Sequence, residues 1–382
     1  MQSNACYSDR FMVRLDSTKT VFILGAGTSV HCHVPMMKDF LDEAYRLRRY
    51  TDFSLDKDAF DLVFEAITAL NAVYAKSQLE LRNIESVFAA FEMAALFGTL
   101  GTLPAGRICQ LVPKLKKVIL ETIELKQFFR PVPAHPQIAP SLLDDLAPSE
   151  EYDRFASLVK NLTSSGHEVA VLTFNYDLGL DFAFQKRQIE YQNALEGSGH
   201  SARTTLLKLH GSLNWAQCPK CKKITVKRLT NAEIFDIQGN VGRLRPSRLI
   251  GAIHCHEADR EEPFIVPPTW NKSEHYAAIS PIWRQAAQKL DEAENIFIIG
   301  YSLPDTDQFF RYLYALGTMG PSRIQRLYVF NPDRAVNERY QNLLGPLAKD
   351  RYQLNPDRGV QFPEGTFTSA IDFLKRNIPV SL

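Results

Sequence analysis

The residues best equipped for chemistry stand in short polar clusters, each directly after an apolar run. Gly25-Ala26-Gly27-Thr28-Ser29 follows Thr20 to Leu24 (TVFIL). Asn175 and Asp177 lie in Phe174-Asn175-Tyr176-Asp177, after Glu168 to Thr173 (EVAVLT). His210 opens His210-Gly211-Ser212, after Thr204 to Leu209 (TTLLKL). Gly300-Tyr301-Ser302 follows Asn295 to Ile299 (NIFII), and Asn331-Pro332-Asp333 follows Arg326 to Phe330 (RLYVF). A glycine-rich turn at a strand end exposes backbone N–H groups to an anion, and the helix behind it favours negative charge. Thr28 and Ser29 add hydroxyl donors. A neutral imidazole accepts a proton near pH 7. A carboxamide orients a water or a hydroxyl without bringing charge. Asp177 can face a positive charge or anchor its own loop, and the sequence leaves both open. Each cluster alone reads as an ordinary turn, since Asn and Asp suit turn geometry. Together they would meet beyond the carboxyl ends of one sheet, where ligands of open α/β sheets bind.

Positioning these residues is the task of the elements between them. The apolar runs have the length and β-branched content of buried parallel strands, and Phe264 to Val266 is a further short candidate. Helical patterns occupy Tyr276 to Ala293, Thr306 to Leu316, Arg334 to Leu344 and Thr368 to Arg376. The alternation predicts an α/β fold with a Rossmann-like, doubly wound parallel sheet. The first two strands are far apart. Between them Phe60, Val63, Phe64 and Ile67, then Leu115, Val118, Ile119 and Ile123, fall at helical spacing, and Arg82 to Leu96 is a further helix. The block is helical to about Arg130. Pro131, Pro133, Pro136 and Pro140 then favour an extended connector, followed by a helix near Glu150 to Leu162. The reading is one domain over residues 1–382, with a large helical insertion over 36–165 and a small Cys-containing insertion over 214–262.

Bulk properties narrow the function classes. A chain of 382 residues with 45% hydrophobic and 23% charged content can bury a sizeable core. A net charge of +1 gives no global field that favours nucleic acid or an anionic membrane. The basic run Lys222, Lys223, Lys227 and Arg228 reads as solvated surface, so sequence-specific nucleic-acid binding is not expected. No apolar run is long enough to cross a bilayer, and Met1 to Asp16 lacks a signal-peptide core. Six cysteines in this length do not make a disulfide framework. A reducing cytoplasm is the expected setting.

The glycine turn departs from the dinucleotide pattern G-x-G-x-x-G. Its third glycine position holds Val30, and no acidic residue closes a second strand about twenty residues on. Another family fits the whole set. GAGTS, TFNYD, LHGS, GYS and FNPD, in this order, resemble the sirtuins, and more closely the bacterial sirtuin-like proteins of antiphage defence. Leu213-Asn214-Trp215 and the run Phe264 to Lys272 (FIVPPTWNK) look characteristic of that branch. The resemblance covers about Thr20 to Asp333, with the helical insertion matched only in kind.

The resemblance implies roles. Gly25, Ala26, Gly27, Thr28 and Ser29 would hold the diphosphate of NAD+, Gly300 and Ser302 would line phosphate and ribose, and Asn331 would read the adenosine ribose. Asn175 and His210 would be catalytic at the nicotinamide ribose, with Asp177 beside them. Breaking the nicotinamide–ribose bond develops oxocarbenium character, as in glycoside hydrolysis. Two features of the deacylating members are missing. The segment after the turn reads His33-Val34-Pro35-Met36-Met37, without their arginine. Where they pair with an acyl-lysine peptide, this chain has Val266-Pro267-Pro268-Thr269-Trp270, and prolines donate no backbone hydrogen bond. The implied enzyme is an NAD+ glycohydrolase that uses water and releases ADP-ribose and nicotinamide. Its implied setting is antiphage defence by NAD+ depletion (abortive infection), as a homo-oligomer with a HerA-type ATPase or Argonaute-like partner. A protein deacylase, an ADP-ribosyltransferase and a non-catalytic NAD or ADP-ribose sensor remain as alternatives.

Cys218 and Cys221 have zinc-knuckle spacing. Cys255, flanked by His254 and His256, offers further ligands, so the candidate set is Cys218, Cys221, Cys255 and His256. Deacylating sirtuins use two Cys-x-x-Cys pairs, and the second is absent here. A bound zinc and a degenerate, metal-free site both stay open.

Overall fold

The run Lys19–Leu24 forms β1, and both of its faces are covered. Phe22 and Leu24 join one core layer, Val21 and Ile23 the other, which is why the run is apolar throughout rather than alternating. The computed structural model describes residues 18–49, 55–71, 79–132, 146–195, 202–229, 234–236, 242–244, 255, 261–267, 277–304, 307–320, 324–345 and 359–377.

β1 is the middle strand of a seven-stranded sheet. On one side lie β4 (Glu168–Thr173), β6 (Thr204–Lys208) and the short β5 (Tyr191–Gln192). On the other lie β12 (Asn295–Ile299), β13 (Arg326–Phe330) and β14 (Gly359–Gln361). Every pairing in this sheet is parallel. The chain steps from β1 outward through β4 and β6, then returns to β12 and steps away on the other side. β1 therefore marks the topological switch point, beyond whose carboxyl end a crevice is expected.

The candidate strand Phe264 to Val266 is realised as β11 (Glu262–Ile265), but outside the parallel sheet. β11 pairs antiparallel with β7 (Gly211–Gln217), and β8 (Ile224–Val226) completes a three-stranded sheet. A parallel partner would need a crossover helix before it. The described parts of the segment before β11 are instead β8, β9 (Ile234–Asp236) and β10 (Gly242–Leu244), the last two an antiparallel pair.

The expected helical insertion is present as α1 (Phe40–Arg48), α2 (Lys57–Leu70), α3 (Ile84–Phe97), the single turn α4 (Ala105–Ile108) and α5 (Leu111–Lys126). Asp56 caps α2 by accepting from the Ala59 amide at 3.0 Å, and Asn83 caps α3 by accepting from that of Glu85 at 2.9 Å. The lobe packs around Phe60, Val63, Phe88, Phe91, Leu115 and Val118. The same cluster continues into Phe182, Leu213 and Ile265, so the lobe rests on the carboxyl edge of the sheet. Two short strands, β2 (Arg130–Pro131) and β3 (Leu146–Ala147), pair where the chain leaves the lobe. α6 (Glu150–Ser164) packs on the sheet itself, with Phe155 edge-on to Phe22 at 5.2 Å. α7 (Gly179–Lys186), α8 (Ser280–Glu292), α9 (Gln308–Leu316), α10 (Ala335–Leu343) and α11 (Phe367–Asn377) are the remaining α-helices among the described residues, and Ala26–Cys32 is a 3₁₀ helix. None of the described helices is long and apolar enough to cross a membrane.

Candidate functional site

The glycine turn is built by contact with the end of β12. The Gly25 amide donates to Ile299 O and that of Gly27 to Gly300 O, both at 3.0 Å. A Cβ on Gly25 would overlap the Tyr301 backbone, and one on Gly27 would stand 2.9 Å from Gly300 Cα. Gly300 itself has φ +64, and a Cβ there would lie 3.0 Å from Gly27 Cα. The glycines of the two motifs thus let two strand ends touch. The Thr28 amide turns back to Gly25 O at 3.0 Å. With these amides engaged inside the protein, the turn meets the adjacent cavity through Ala26 and Ser29.

Asn175 closes the same knot. Its Nδ2 donates to Gly25 O and to Thr28 Oγ1, each at 3.0 Å. Both amide hydrogens are then used, which leaves the carbonyl oxygen Oδ1 for the cavity that Asn175 lines. Thr28 Oγ1 is 3.1 Å from the hydroxyl of buried Tyr152, a residue that α6 delivers. Asp177 is tied into its own loop. Its Oδ2 accepts from Ser29 Oγ at 2.5 Å and its Oδ1 from the Gly179 amide at 2.9 Å. Burial pushes its carboxyl above the usual range, against the opposing charge of Lys208 and these two hydrogen bonds.

His210 is placed by the glycine that follows it. Gly211 has φ +84, and a Cβ there would sit 2.7 Å from Phe264 O, so the chain swings from β6 into β7 at a point only glycine fits. The His210 carbonyl accepts from the Val266 amide at 2.8 Å. Its ring meets Phe174 edge-on at 5.0 Å, and the side chain is only 8% exposed. Phe174 stacks in turn on Tyr301 at 4.2 Å.

Asn175, Asp177 and His210 line one cavity with Ala26, Ser29, Gly300 and Ser302. It holds about 160 Å³ of water-accessible space at the carboxyl edge of β1, β4, β6 and β12. The lobe supplies its other wall through Phe40, Ile84, Glu85, Ile119 and Ile123. Gly25, Gly27 and Thr28 stand behind this surface as its support. Asn331 is held apart in a turn, its Oδ1 accepting from the Asp333 amide at 3.0 Å, while Asp333 Oδ1 accepts from the Ala335 amide at 3.0 Å.

Lys208 is a member that the motif reading missed. It is 3% exposed, and its Nζ donates to Asp177 O at 2.7 Å, Asp181 Oδ2 at 2.6 Å and Ser212 Oγ at 2.7 Å. All three ammonium hydrogens are satisfied, and the loop 175–177 is thereby tied to the strand that carries His210. The signal was visible in TTLLKL, since a lysine inside a buried strand needs a built set of partners.

In the small insertion, the sulfurs of Cys218, Cys221 and Cys255 lie within 4.8 Å of one another, and the Cys218 and Cys255 sulfurs are 3.7 Å apart. The Cys221 backbone N–H, with that of Lys220 behind it, pulls the Cys218 thiol below its usual range. Hydrogen bonds with Cys221 and Cys218 push that of Cys255 up to about 11. Three soft donors at this spacing suit zinc. His256 lies outside the described residues, as do His254 and Pro268 to Trp270.

No family model matches the sequence, and no curated protein does. Among solved structures the chain is similar to a Sir2 homologue in complex with NAD, at 14% identity over 96% of this chain and 90% of that one, with a TM-score of 0.42. A variant Sir2 homologue with ADP-ribose gives 14% identity over 96% and 93%, with a TM-score of 0.39. A Sir2 protein with an inhibitor, 2′-O-acetyl-ADP-ribose and a deacetylated peptide gives 13% over 96% and 95%, with a TM-score of 0.35. Superpositions this loose add nothing to the geometry above.

Proposed function

We propose that this protein is an NAD+ glycohydrolase that cleaves the nicotinamide–ribose bond with water, releasing ADP-ribose, nicotinamide and a proton. The observation that carries the reading is the convergence of Asn175 and His210 on one lobe-covered cavity beside the glycine turn. Water attacks the ribose carbon as nicotinamide departs. The His210 imidazole takes the proton from the attacking water or from a ribose hydroxyl, and the Asn175 carbonyl oxygen orients the hydroxyl or water it receives. Ala26, Ser29, Gly300 and Ser302 form the wall for the ribose and diphosphate. Lys208 and Asp177 keep the two catalytic side chains in register. Mainly apolar walls, closed over by the lobe, limit competing water and sharpen the electrostatics of the polar groups.

The test is incubation of the purified protein with NAD+ while nicotinamide release is followed by chromatography. Release that disappears in His210→Ala and Asn175→Ala supports the reading, and unchanged release in both variants overturns the site. Formation of O-acyl-ADP-ribose with a deacylated protein, or of an ADP-ribosylated protein, in place of free ADP-ribose would select the deacylase or the transferase alternative instead. Binding of ADP-ribose without turnover would select a sensor.

The wider setting belongs to the same proposal: antiphage defence by NAD+ depletion, as a cytoplasmic homo-oligomer acting with a HerA-type ATPase or an Argonaute-like protein. Exposed apolar side chains support association, Leu96 and Phe97 at the end of α3 and Leu316 and Met319 at the end of α9. Gel filtration of the protein alone and with its neighbouring gene product tests this, and a monomer in both runs counts against it. Cys218, Cys221 and Cys255 would hold zinc as a cross-link of the small insertion, with His256 as fourth ligand. Metal analysis of the purified protein reads this directly.

A further inference from the structure

We propose that Glu85, carried into the cavity by the helical lobe, recognises the positive charge of the nicotinamide ring and makes the site selective for the oxidised dinucleotide. The inference rests on the NAD+ reading above and adds a specificity residue to it. The cavity has an unexpected charge character for a site that receives a dinucleotide. Glu85, Asp177 and Asp307 line it, and no lysine or arginine is among its described lining residues. A carboxylate in such a wall attracts a cationic ring, and NAD+ carries one at its pyridinium end.

The three carboxylates are not equivalent. Asp177 holds Ser29 and the Gly179 amide, and its charge is met by Lys208 behind it. Asp307 is 3% exposed and accepts from the Tyr301 hydroxyl at 2.5 Å. Glu85 is half-buried and enters from the opposite wall. It is fixed there by its place in the first turn of α3, directly after the buried anchor Ile84, with its amide donating to the Asn83 cap. Its field reaches the cavity floor: burial, and then the charges of Glu85 and Asp307, push the Tyr176 phenol well above its usual range. Phe174 and Tyr301, stacked on each other at 4.2 Å, also line the cavity. The same carboxylate separates substrate from product, because nicotinamide is neutral once the glycosidic bond has broken.

The experiment uses carba-NAD+, whose carbocyclic ribose resists cleavage, and its reduced dihydropyridine form, which has nearly the same shape without the ring charge. Binding of each is measured by calorimetry to the full-length protein and to Glu85→Gln. The expected result is about tenfold tighter binding of the oxidised form by the unmodified protein. In Glu85→Gln that preference falls to about twofold or less, while affinity for the reduced form is unchanged. An equal preference in both proteins, or a loss of both forms together in the variant, overturns the role of Glu85 and leaves the NAD+ reading standing. Failure of the unmodified protein to bind either form overturns that reading as well.

Discussion

Two clefts open at opposite edges of the same sheet, and they differ in the way their polar groups are held. The amino-edge cleft is the roomier, with about 430 Å³ of water-accessible space against about 160 Å³ at the carboxyl edge. It is lined by Lys19, Arg203 and Lys289 together with Glu168 and Glu292. Those charges answer one another across loose gaps: Lys19 to Glu292 at 3.4 Å, and Lys289 to Glu168 at 3.8 Å and to Glu292 at 3.7 Å. Their side chains stay partly in water, where such pairs contribute little. At the carboxyl edge Asn175, Asp177, Lys208 and Ser29 are buried and tied to the backbone or to one another by bonds of 2.5 to 3.0 Å. Size and charge are common on a surface. Desolvated polar groups with fixed partners are not, and they preorganise a site.

The comparison breaks or holds under substitution. The largest expected effect is at the carboxyl edge, where His210→Ala should lower nicotinamide release by about 10²- to 10⁴-fold, read as initial rates at saturating NAD+. Asn175→Ala should do the same and in addition lower the melting temperature, because Gly25 O and Thr28 lose a donor. Next comes Lys208→Met, which leaves Asp181 buried without its cation and should destabilise the fold by about 3–5 kcal/mol in urea unfolding. Gly27→Ala should cost about 1–3 kcal/mol by pressing on Gly300, again read from urea midpoints.

A smaller effect concerns the lobe and is pH-dependent. Burial of Asp56 acts upward on its carboxyl, but hydrogen bonds from Lys117, the Ala59 amide and Lys114 outweigh it and hold the carboxyl down to about 2, from an ordinary 3.8. A depressed carboxylate stabilises the fold above its ordinary value, and that stability drains away as pH falls from about 4 through about 2. Asp56→Ala should remove this dependence and cost about 1 kcal/mol at neutral pH as a lost helix cap. The smallest effect belongs to the amino-edge cleft. Lys289→Ala should change stability by about 0.5 kcal/mol or less and leave nicotinamide release within about twofold. A large loss there would show that the loosely paired cleft is a second working surface.

Much of this was legible in the chain. Each parallel strand flanked by a polar cluster could be read from its apolar run, since a strand buried on both faces cannot alternate. Gly211 and Gly300 stood in two of those clusters, and their positive φ became visible only in the structure. The packing of Gly25 and Gly27 was not legible. Their freedom is used against Gly300 and Tyr301, a contact between segments about 275 residues apart that no local pattern displays. Phe264 to Val266 read correctly as a strand and incorrectly as a partner in the parallel sheet, because strand pairing follows the connection and not the residue types. Lys208 went unnoticed among apolar neighbours, and Glu85 lay in a helix whose place over the cavity could not be seen.

The amino-acid sequence by itself determined the element types, their order and the identities of Asn175, His210 and the glycines at the strand ends. These follow from local rules of hydrophobic period and backbone freedom, which act over a few residues. The tertiary structure alone decided which groups Asp177 meets and that Lys208 stands behind it. It also decided that the lobe covers the cavity and that Glu85 lines it. Those outcomes depend on which buried groups meet across the chain, and a buried charge or amide takes its role from whatever partner satisfies it.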